Sequence, residues 1–465
     1  MKKQPLCTVS LVLFLALTPS LILGSLFDKS EYASRRAGLM EKIADGAAIL
    51  MGAAPPPDGS RFYQNNDLVY FSGVEIPSAA LVIDGIKKES TLFFSIEERE
   101  ADSAGISLEL VRDPRQITGI ENVLPMERFP MFLSRLSLES PVFYVNHRPS
   151  ELMRVNTNEK FRALQRNQTL NLWDGRLTRE LQFVKQLKEK FPHVEIRDCA
   201  RLIWDLRKIK SPAEIEVMRK TAQIGVKAHI ALIQSTRPGI SENELASVFA
   251  YVCQKEGAQD LAFPTILMSG KNHAYGHYHA HDRVLRDGDF IILDAGPDYG
   301  YYNADISTSF PANGKFTPRQ RELYELAFLM RKTCQEHYRP GTSLKHVGQK
   351  VKEALIAHGI DPEDRQVRGE IRYGGYNHSV GMATHDAMGT FDGPDEVLQP
   401  GFVFACDIQV ILPEEEIGIR LEDTVAITED GYINLSAGLP RTVAEIEDLM
   451  KRDGIIQALR KQGLY

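Results

Sequence analysis

The chain has 465 residues, of which 43% are hydrophobic and 25% are charged, as is usual for a globular protein. This length favours two domains over one core. The formal net charge is −7, and no basic stripe with interleaved aromatic residues occurs, which argues against nucleic acid as a partner. The five cysteines have no paired spacing, so we expect buried free thiols rather than a disulfide framework.

Residues 1–24 differ in composition from the rest of the chain. Two lysines precede an apolar run at 9–17, and the small residues Gly24 and Ser25 follow. This pattern predicts a signal peptide and export, to a periplasm or out of the cell. The apolar run falls short of the roughly 20 residues of a spanning helix, and an uncleaved anchor is the alternative. No second apolar segment of that length follows, so no membrane contact beyond the leader is expected.

Residues 27–200 read as one α/β domain. Short apolar runs predict buried strands at 47–51, 79–83, 91–94 and 142–145. Further along, Ser211 followed by Pro212 and then Glu214 predicts the start of a helix, with the serine as N-cap. The domain boundary is therefore placed at about 200–210, and a second domain is predicted over 205–455.

The second domain contains an internal repeat. An Arg-Pro-Gly-X-Ser pattern begins at residues 237 and 339, and a helical stretch follows each copy. Gly257 follows Gly239, and Gly359 follows Gly341, at the same interval of 18 residues. Each copy then leads to a pair of predicted strands. A helix-plus-hairpin unit that occurs twice predicts two halves packed around a pseudo-twofold axis.

The first predicted hairpin carries two aspartates. Residues 290–294 read as a buried strand ending in Asp294, and a turn at 298–300 leads to a second strand, 303–307, that carries Asp305. Residues equidistant from a hairpin turn face each other across the two strands. Asp294 and Asp305 are therefore predicted to be directly opposed on one face.

The second predicted hairpin repeats this arrangement. A strand at 402–412 carries Asp407, a loop covers 413–416, and a strand at 418–427 carries Glu422. Facing carboxylates in buried strands require protons or cations as compensation. Four of them, brought together by a pseudo-twofold axis, fit a pair of divalent ions better than a proton-sharing dyad. The alternative is that the acids lie on solvent faces and never converge.

Histidines lie near both hairpins. His378 and His385 occupy a polar segment that contains glycine, directly before the second hairpin. Neutral imidazole is a common metal ligand and proton shuttle at neutral pH. His277, His279 and His281 alternate as on one face of a strand; a solvent-facing edge is expected for the last two, whereas His277 is a candidate site residue.

Six segments of the second domain resemble, in order and spacing, the pita-bread metallopeptidases, which include methionine aminopeptidase, prolidase and aminopeptidase P. They lie at 269–278, 287–296, 305–306, 310–317, 378–386 and 418–423. Residues 63–73 resemble the N-terminal domain of the aminopeptidase P branch. The resemblance implies an α+β fold, with a pseudo-twofold, duplicated pita-bread catalytic domain after a smaller α/β N-terminal domain.

The resemblance also implies the site. The ligands of two divalent metal ions would be Asp294, Asp305, His378, Asp407 and Glu422. Of these, Asp305 and Glu422 would bridge the two ions.

Other residues match supporting positions of that family. His277 and His385 match the histidines that bind substrate and move protons, and Arg420 matches a buried arginine that supports the cluster. Asp407 stands at the position of the family's usual general base.

Two departures from the family pattern occur near the ligands. Asp407, Ile408 and Gln409 stand where the family has Glu-Pro-Gly, so the acid is one methylene shorter. Gly374 stands where a histidine normally precedes the ligand histidine by four residues. The first departure bears on base geometry and metal preference, and the second on the strictness of proline preference.

The function implied is that of an Xaa-Pro aminopeptidase acting on peptides, as a homo-oligomer (dimer or tetramer). Four carboxylates and one imidazole favour Mn²⁺, with Zn²⁺, Co²⁺ and Fe²⁺ as alternatives. Two other functions remain open. One is a prolidase restricted to Xaa-Pro dipeptides, and the other is a metal-free module that binds peptides or proteins without catalysis.

Overall fold

A computed structural model gives the structure of the protein and describes residues 26–56, 61–148, 173, 177–364, 367, 374–386 and 395–464. The predicted leader lies outside these residues. The helices are α1 (Lys29–Lys42), α2 (Asn66–Ser72), α3 (Glu98–Ser103), α4 (Leu108–Arg112), α5 (Pro114–Thr118), α6 (Phe129–Glu139), α7 (Arg179–Lys190), α8 (Ala200–Lys208), α9 (Pro212–Ser235), α10 (Glu242–Lys255), α11 (Pro318–His337), α12 (Leu344–Ala357), α13 (Val443–Leu449) and α14 (Ile455–Lys461). The strands are β1 (Ala47–Met51), β2 (Ala80–Asp84), β3 (Glu89–Phe93), β4 (Asn122–Leu124), β5 (Val142–Val145), β6 (Glu195–Asp198), β7 (Asp260–Leu261), β8 (Ile266–Ser269), β9 (Phe290–Asp294), β10 (Pro297–Tyr299), β11 (Tyr302–Asn303), β12 (Ser307–Pro311), β13 (His378–Ser379), β14 (Val403–Leu412), β15 (Ile417–Ile427) and β16 (Tyr432–Asn434).

The first part of the chain forms a six-stranded sheet in the order β4-β3-β2-β1-β5-β6. The four strands predicted from apolar runs are β1, β2, β3 and β5. Helices α6 and α7 pack on one face of this sheet, and α1 and α2 pack on the other. Cover on both faces explains why the central strands read as continuous apolar runs.

Helix α8 leads from this sheet to the second domain, and α9 begins at the predicted N-cap. The Ser211 hydroxyl accepts a hydrogen bond from the Glu214 N–H, and the Glu214 carboxylate accepts one from the Ser211 N–H. This reciprocal capping box satisfies two backbone donors that a helix start would otherwise leave without partners. The predicted helix start is confirmed.

The second sheet has the order β13-β14-β15-β12-β9-β8, with β16 added to β15. Its halves are equivalent, because α9, α10, β9 and β12 correspond to α11, α12, β14 and β15. Each copy of the repeat makes the same connection: the Gly239 N–H donates to the Leu285 carbonyl, and the Gly341 N–H donates to the Leu398 carbonyl, both at 2.9 Å. The predicted duplication is present, and its axis passes between β12 and β15.

The register of the first hairpin differs from the prediction. Asp294 pairs with Ser307, not with Asp305, and residues 304–306 lie outside the strands. The turn consists of Gly300 and Tyr301, both with positive φ (60° and 68°), so Tyr299 pairs with Tyr302. A two-residue loop of this kind matches the right-handed twist of the strands. The shift is two residues, and the carboxylate of Asp305 still lies beside those of Asp294 and Glu422.

The two domains share a hydrophobic cluster that includes Phe27 and Tyr32 from the first and Tyr302 and Ile306 from the second. The four cysteines within the described residues are buried and free, as expected. None of the helices in the described part of the chain is both long and apolar enough to cross a bilayer.

Candidate metal centre

The sheet register brings the predicted acids into one row. Asp294 on β9 pairs with Ser307 on β12, Ser307 pairs with Glu422 on β15, and Glu422 pairs with Asp407 on β14. The predicted opposition of Asp407 and Glu422 is confirmed. Neighbouring strands lie about 4.8 Å apart, so these four residues form a line across the middle of the sheet.

A second row lies two residues away on the same face. His378 on β13 pairs with Ala405, and Ala405 pairs with Thr424. Thr424 in turn exchanges hydrogen bonds with the backbone of Asp305, at 3.0 and 2.8 Å. The side chains of Ala405 and Thr424 are small, which leaves room above them for the imidazole of His378 and the carboxylate of Asp305.

Ligand atoms from the two rows converge. Asp294, Asp305 and Glu422 each place a carboxylate oxygen within 4.8 Å of the others, and Asp305, His378 and His385 form a second group within the same limit. His378 Nε2 lies 3.4 Å from both Asp305 Oδ2 and Glu422 Oε1. Asp305 belongs to both groups. The alternative in which the acids face solvent is therefore wrong.

The donor set fits divalent cations. Asp294, Asp305 and Glu422 are buried, and each has one carboxylate oxygen (Oδ1, Oδ1 and Oε1) that accepts no hydrogen bond of normal geometry from the described residues. Buried polar atoms without partners are rare in folded proteins. Carboxylate oxygens together with an imidazole nitrogen are the ligands that divalent first-row metals take.

Arg420 is the cation that the structure places among these acids. Its guanidinium donates to Asp294, donates from Nε to Asp407 at 3.1 Å, and lies 3.5 Å from Glu422. Asp407 lies in neither group of converging ligand atoms; its oxygens accept hydrogen bonds from Arg420 and from the amide of Gln409, at 2.6 Å. Gln409 stands where the family has glycine, so this second contact is a consequence of the departure at 407–409.

Burial and mutual repulsion change the acidity of the cluster. Burial raises the pKa of Asp294 to about 7 against the opposing effect of Arg420, and raises the pKa of Asp407 to about 6. Burial and the neighbouring Glu422 and Asp294 raise the pKa of Asp305 well above its usual range. Burial also favours the neutral form of Glu422, but Arg420 and His378 hold its pKa below the usual value. In the absence of bound metal ions, the raised pKa values of Asp294, Asp305 and Asp407 therefore favour their protonated forms, even with Arg420 nearby.

His385 lies beside His378, with ring centroids 4.0 Å apart. Burial, with His378, Arg420 and His277 nearby, lowers the pKa of His385 to about 2, so its ring is neutral. His277 itself is exposed and close enough to His385 to contribute to this shift. The structure thus places His385 beside Asp305 and His378, with His277 near His385.

The strand predicted for the 277–281 histidines is not present. This segment is irregular, and His281 has a positive φ of 50°, which no strand accommodates. His279 is exposed, as expected, but both His279 and His281 approach the Thr265 carbonyl, at 3.3 and 2.9 Å. Residues 277–281 are therefore held by contacts of two histidine rings with the Thr265 carbonyl rather than by pairing with a strand.

Several residues that support the site were not identified from the sequence. Ser307 donates to Glu422 Oε2 at 2.7 Å. Arg441 donates to the backbone carbonyls of Ser307 and Glu422 and to the carboxylate of Asp423. No local pattern marks Arg441, and the role of Ser307 depends on a register that the sequence misplaced by two residues.

The chain is similar to known proteins over most of its length. The sequence model of metallopeptidase family M24 matches residues 216–429, and that of the aminopeptidase P N-terminal domain matches residues 32–144. The Xaa-Pro aminopeptidase of Escherichia coli is 30% identical over 449 residues, covering 91% of this chain and 98% of that protein. The Xaa-Pro dipeptidase of Pyrococcus furiosus is 31% identical over 279 residues, covering 60% of this chain and 76% of that protein.

A solved structure agrees with this similarity. Proline aminopeptidase P II from Yersinia pestis superimposes with a TM-score of 0.73 at 27% identity, covering 91% of this chain and 100% of that one. The predicted fold class is therefore confirmed, with a pita-bread domain after a smaller N-terminal domain. By sequence, fold and the acids gathered in its second sheet, the chain belongs to metallopeptidase family M24, in the aminopeptidase P branch.

Proposed function

We propose that this protein is an Xaa-Pro aminopeptidase, which uses two divalent metal ions to release the first residue of peptides whose second residue is proline. The observation that carries the proposal is the position of Asp305, which contributes to both groups of converging ligand atoms. A carboxylate shared in this way could serve as a ligand in the sites of two divalent ions.

The proposed ligands are Asp294, Asp305, His378, Asp407 and Glu422. Three of the carboxylates have an oxygen without a hydrogen-bond partner among the described residues, and the fourth, Asp407, is held beside them by Arg420. When bound, two such ions supply Lewis acidity, which polarises a peptide carbonyl and makes water a better nucleophile at neutral pH.

The side chains around the ions have distinct proposed roles. The neutral ring of His385 carries one N–H group. This group can donate a hydrogen bond to the carbonyl oxygen of the first peptide bond and stabilise the negative charge that develops there. His277, which is exposed and near His385, binds the peptide. A carboxylate oxygen of Asp407 receives the proton of the attacking water.

Manganese is the proposed metal, because four carboxylates and one imidazole favour a hard ion. Export is proposed from the composition of residues 1–24, with no membrane contact beyond that leader. A homo-oligomer is proposed from the family resemblance. Metal analysis of the purified protein, N-terminal sequencing of the exported form and light scattering test these three points.

Prolidase activity is the second candidate. The Pyrococcus furiosus dipeptidase supports it, but that match covers 60% of this chain, whereas the match to the Escherichia coli aminopeptidase covers 91%. The aminopeptidase proposal is therefore favoured.

A peptide panel separates the candidates. The manganese-loaded protein is incubated with an Xaa-Pro dipeptide, an Xaa-Pro-Xaa tripeptide and an Xaa-Ala-Xaa tripeptide, and the release of the first residue is measured. An aminopeptidase cleaves the Xaa-Pro-Xaa tripeptide fastest, whereas cleavage of the dipeptide alone identifies a prolidase. A protein that binds no metal and cleaves none of the three would be the non-catalytic module. Asp305→Asn is the control, since it should lose both metal and turnover.

A further inference from the structure

Four buried charged residues form a cluster between the two domains, here called the interdomain ion cluster: Asp67, Arg207, Lys210 and Asp386. Arg207 donates from one terminal nitrogen to Asp67 Oδ1 at 2.9 Å and from the other to Asp386. Lys210 Nζ lies 3.5 Å from Asp386 Oδ2. Each member is at most 3% exposed.

The members come from three parts of the chain. Asp67 lies in α2 of the first domain, where Asn146 also donates to it at 2.9 Å. Arg207 lies on α8, the helix that connects the domains, and Lys210 lies two residues after the end of that helix. Asp386 belongs to the second domain and is the residue immediately after His385. Arg207 therefore bridges the first domain to the neighbour of a site histidine.

The segment that carries His378 and His385, here called the histidine loop (residues 378–386), is fixed at several points. The Asp386 N–H donates to the Ser379 carbonyl at 2.9 Å, which closes the loop. The Asn303 N–H donates to the Gly381 carbonyl, and the Asn66 side chain donates to the Met382 carbonyl at 2.7 Å. Asn66 is next to Asp67, so α2 contacts this loop directly through Asn66 and indirectly from Asp67 through Arg207.

The side chain of Asp386 also packs inside the loop. A Cβ atom at Gly381 would lie 2.2 Å from Asp386 Oδ2 and 3.0 Å from Lys210 Cε. Glycine at this position therefore allows the carboxylate to sit between the loop and the two cations. The backbone at 385–386 is held on one side by this carboxylate and on the other by the bond to Ser379.

Burying four charges is costly unless their hydrogen bonds are well formed, and pairs of this kind often add little to stability. Their geometry, however, is restrictive, because a guanidinium fork fixes the direction of both carboxylates. Displacing a reacting group by about 1 Å from a distant site can lower a rate by about 100-fold. A cluster of this kind suits positioning better than stabilisation.

We propose that Asp67 and Arg207 are positioning residues for the peptidase reaction: by fixing Asp386 they set the place of His385 beside Asp305 and His378, and the first domain thereby contributes to the active site. This inference rests on the proposed function, in which His385 contacts the substrate.

The test compares kinetics in two backgrounds. Asp67→Asn and Arg207→Lys are measured with an Xaa-Pro-Xaa peptide; the second variant keeps the net charge but cannot span both carboxylates. We expect kcat to fall by about 100-fold with metal content retained and KM little changed. In a His385→Ala background, the same substitutions should add almost nothing, because residues that act through one group are not additive. Equal losses in both backgrounds would overturn the proposal.

The control is Glu75→Gln. Glu75 accepts a hydrogen bond from Tyr301 across the same pair of domains at 2.8 Å, away from the histidine loop. Glu75→Gln should change the free energy of unfolding without the loss of kcat that is expected for Asp67→Asn. If a charge change prevents folding, Asn146→Ala removes the hydrogen bond to Asp67, together with one accepted from the Arg148 N–H, without changing any charge, and should give a smaller loss of kcat in the same direction.

A second readout does not need turnover. The ring signals of His385 in an NMR spectrum, assigned by their disappearance in His385→Ala, should shift in Asp67→Asn and stay in place in Glu75→Gln. Unshifted signals would contradict the positioning role. If the wild-type protein cleaves no peptide but the His385 signals still shift in Asp67→Asn, only the proposed function is contradicted.

Discussion

Ser307 stands directly opposite Glu422, at the pair of residues that joins the two halves of the second sheet, and donates its hydroxyl hydrogen to the Glu422 carboxylate. This contact orients a proposed bridging ligand. It also places a small hydroxyl between two strands that each carry acids.

Ser307→Ala should weaken metal binding. Loss of a hydrogen bond that orients a ligand typically lowers metal affinity by about 10–100-fold. Calorimetric titration of Mn²⁺ into chelator-treated protein measures this change. The matched control is Ser309→Ala, two residues further along β12, whose hydroxyl contacts only the backbone of Arg420. Equal affinities for the two variants would show that the Ser307 contact has no role in binding.

Arg420→Met should destabilise the metal-free protein far more than the loaded one. Removing the guanidinium that contacts the carboxylates of Asp294, Asp407 and Glu422 leaves buried charge uncompensated, at a cost of about 3–5 kcal/mol. Bound cations supply the missing positive charge, so the difference in Tm between variant and wild type should shrink when Mn²⁺ replaces the chelator. Arg319→Met, which breaks an ion pair with Glu415 that is about one-third exposed, should lower stability by about 1 kcal/mol or less in both conditions. If Arg420→Met lowers Tm equally with and without bound metal, the proposed compensation of Arg420 by metal ions is wrong.

Gly374→His, which restores the residue usual in the family, should lower stability rather than improve activity. Gly374 has a φ of +67°, which costs other residues about 1–2 kcal/mol, and a Cβ there would lie 2.7 Å from Val347 Cγ1. Gly359→Ala is the control, since Gly359 has a similar φ of +75° with open space around it. Gly374→Ala should therefore be less stable than Gly359→Ala in thermal unfolding. Equal values would mean that Val347 moves aside easily.

Acid should destabilise the protein partly through His229. Burial lowers the pKa of this histidine from 6.5 to about 3, so its contribution to stability is complete above pH 6.5 and is lost as the pH falls toward 3. Between pH 7.5 and 5.0 the loss amounts to about 2 kcal/mol. His229→Gln should reduce this dependence in urea unfolding, although it lowers stability at neutral pH.

The control for this effect is Phe249→Leu, because the ring of Phe249 packs edge-on against His229. This substitution should lower stability by the same amount at both pH values. A wild-type slope in His229→Gln would place the acid sensitivity elsewhere.

The sequence predicted the second hairpin better than the first, for a reason that lies in the turns. Pro413 and the residues after it separate β14 from β15 plainly, so the register of Asp407 and Glu422 followed directly. In the first hairpin, Tyr301 takes a left-handed conformation that is uncommon for a large residue, and nothing in the sequence marks it. The acids still converge, because Thr424 on the neighbouring β15 holds the backbone of Asp305 by two hydrogen bonds.

Contacts across the chain were beyond prediction. Arg207 reaches Asp67 over 140 positions and Asp386 over 179, and no periodicity or spacing connects them. The departure from the family pattern at Gln409 was visible in the sequence, but the hydrogen bond that Gln409 donates to Asp407 could not be predicted from it. The side chain that replaces glycine supplies an additional hydrogen bond to the shortened acid.

Residues that pair across the axis between β12 and β15 cannot be chosen independently if the two halves are identical in sequence. Ser307 and Glu422 occupy equivalent places in their hairpins, and each meets the other across that axis. An assembly of two separate, identical halves would have to put the same residue on both sides, either two glutamates in mutual repulsion or two serines with no charge. Joining the halves in one polypeptide removes that restriction, so that one copy provides the donor and the other the acceptor.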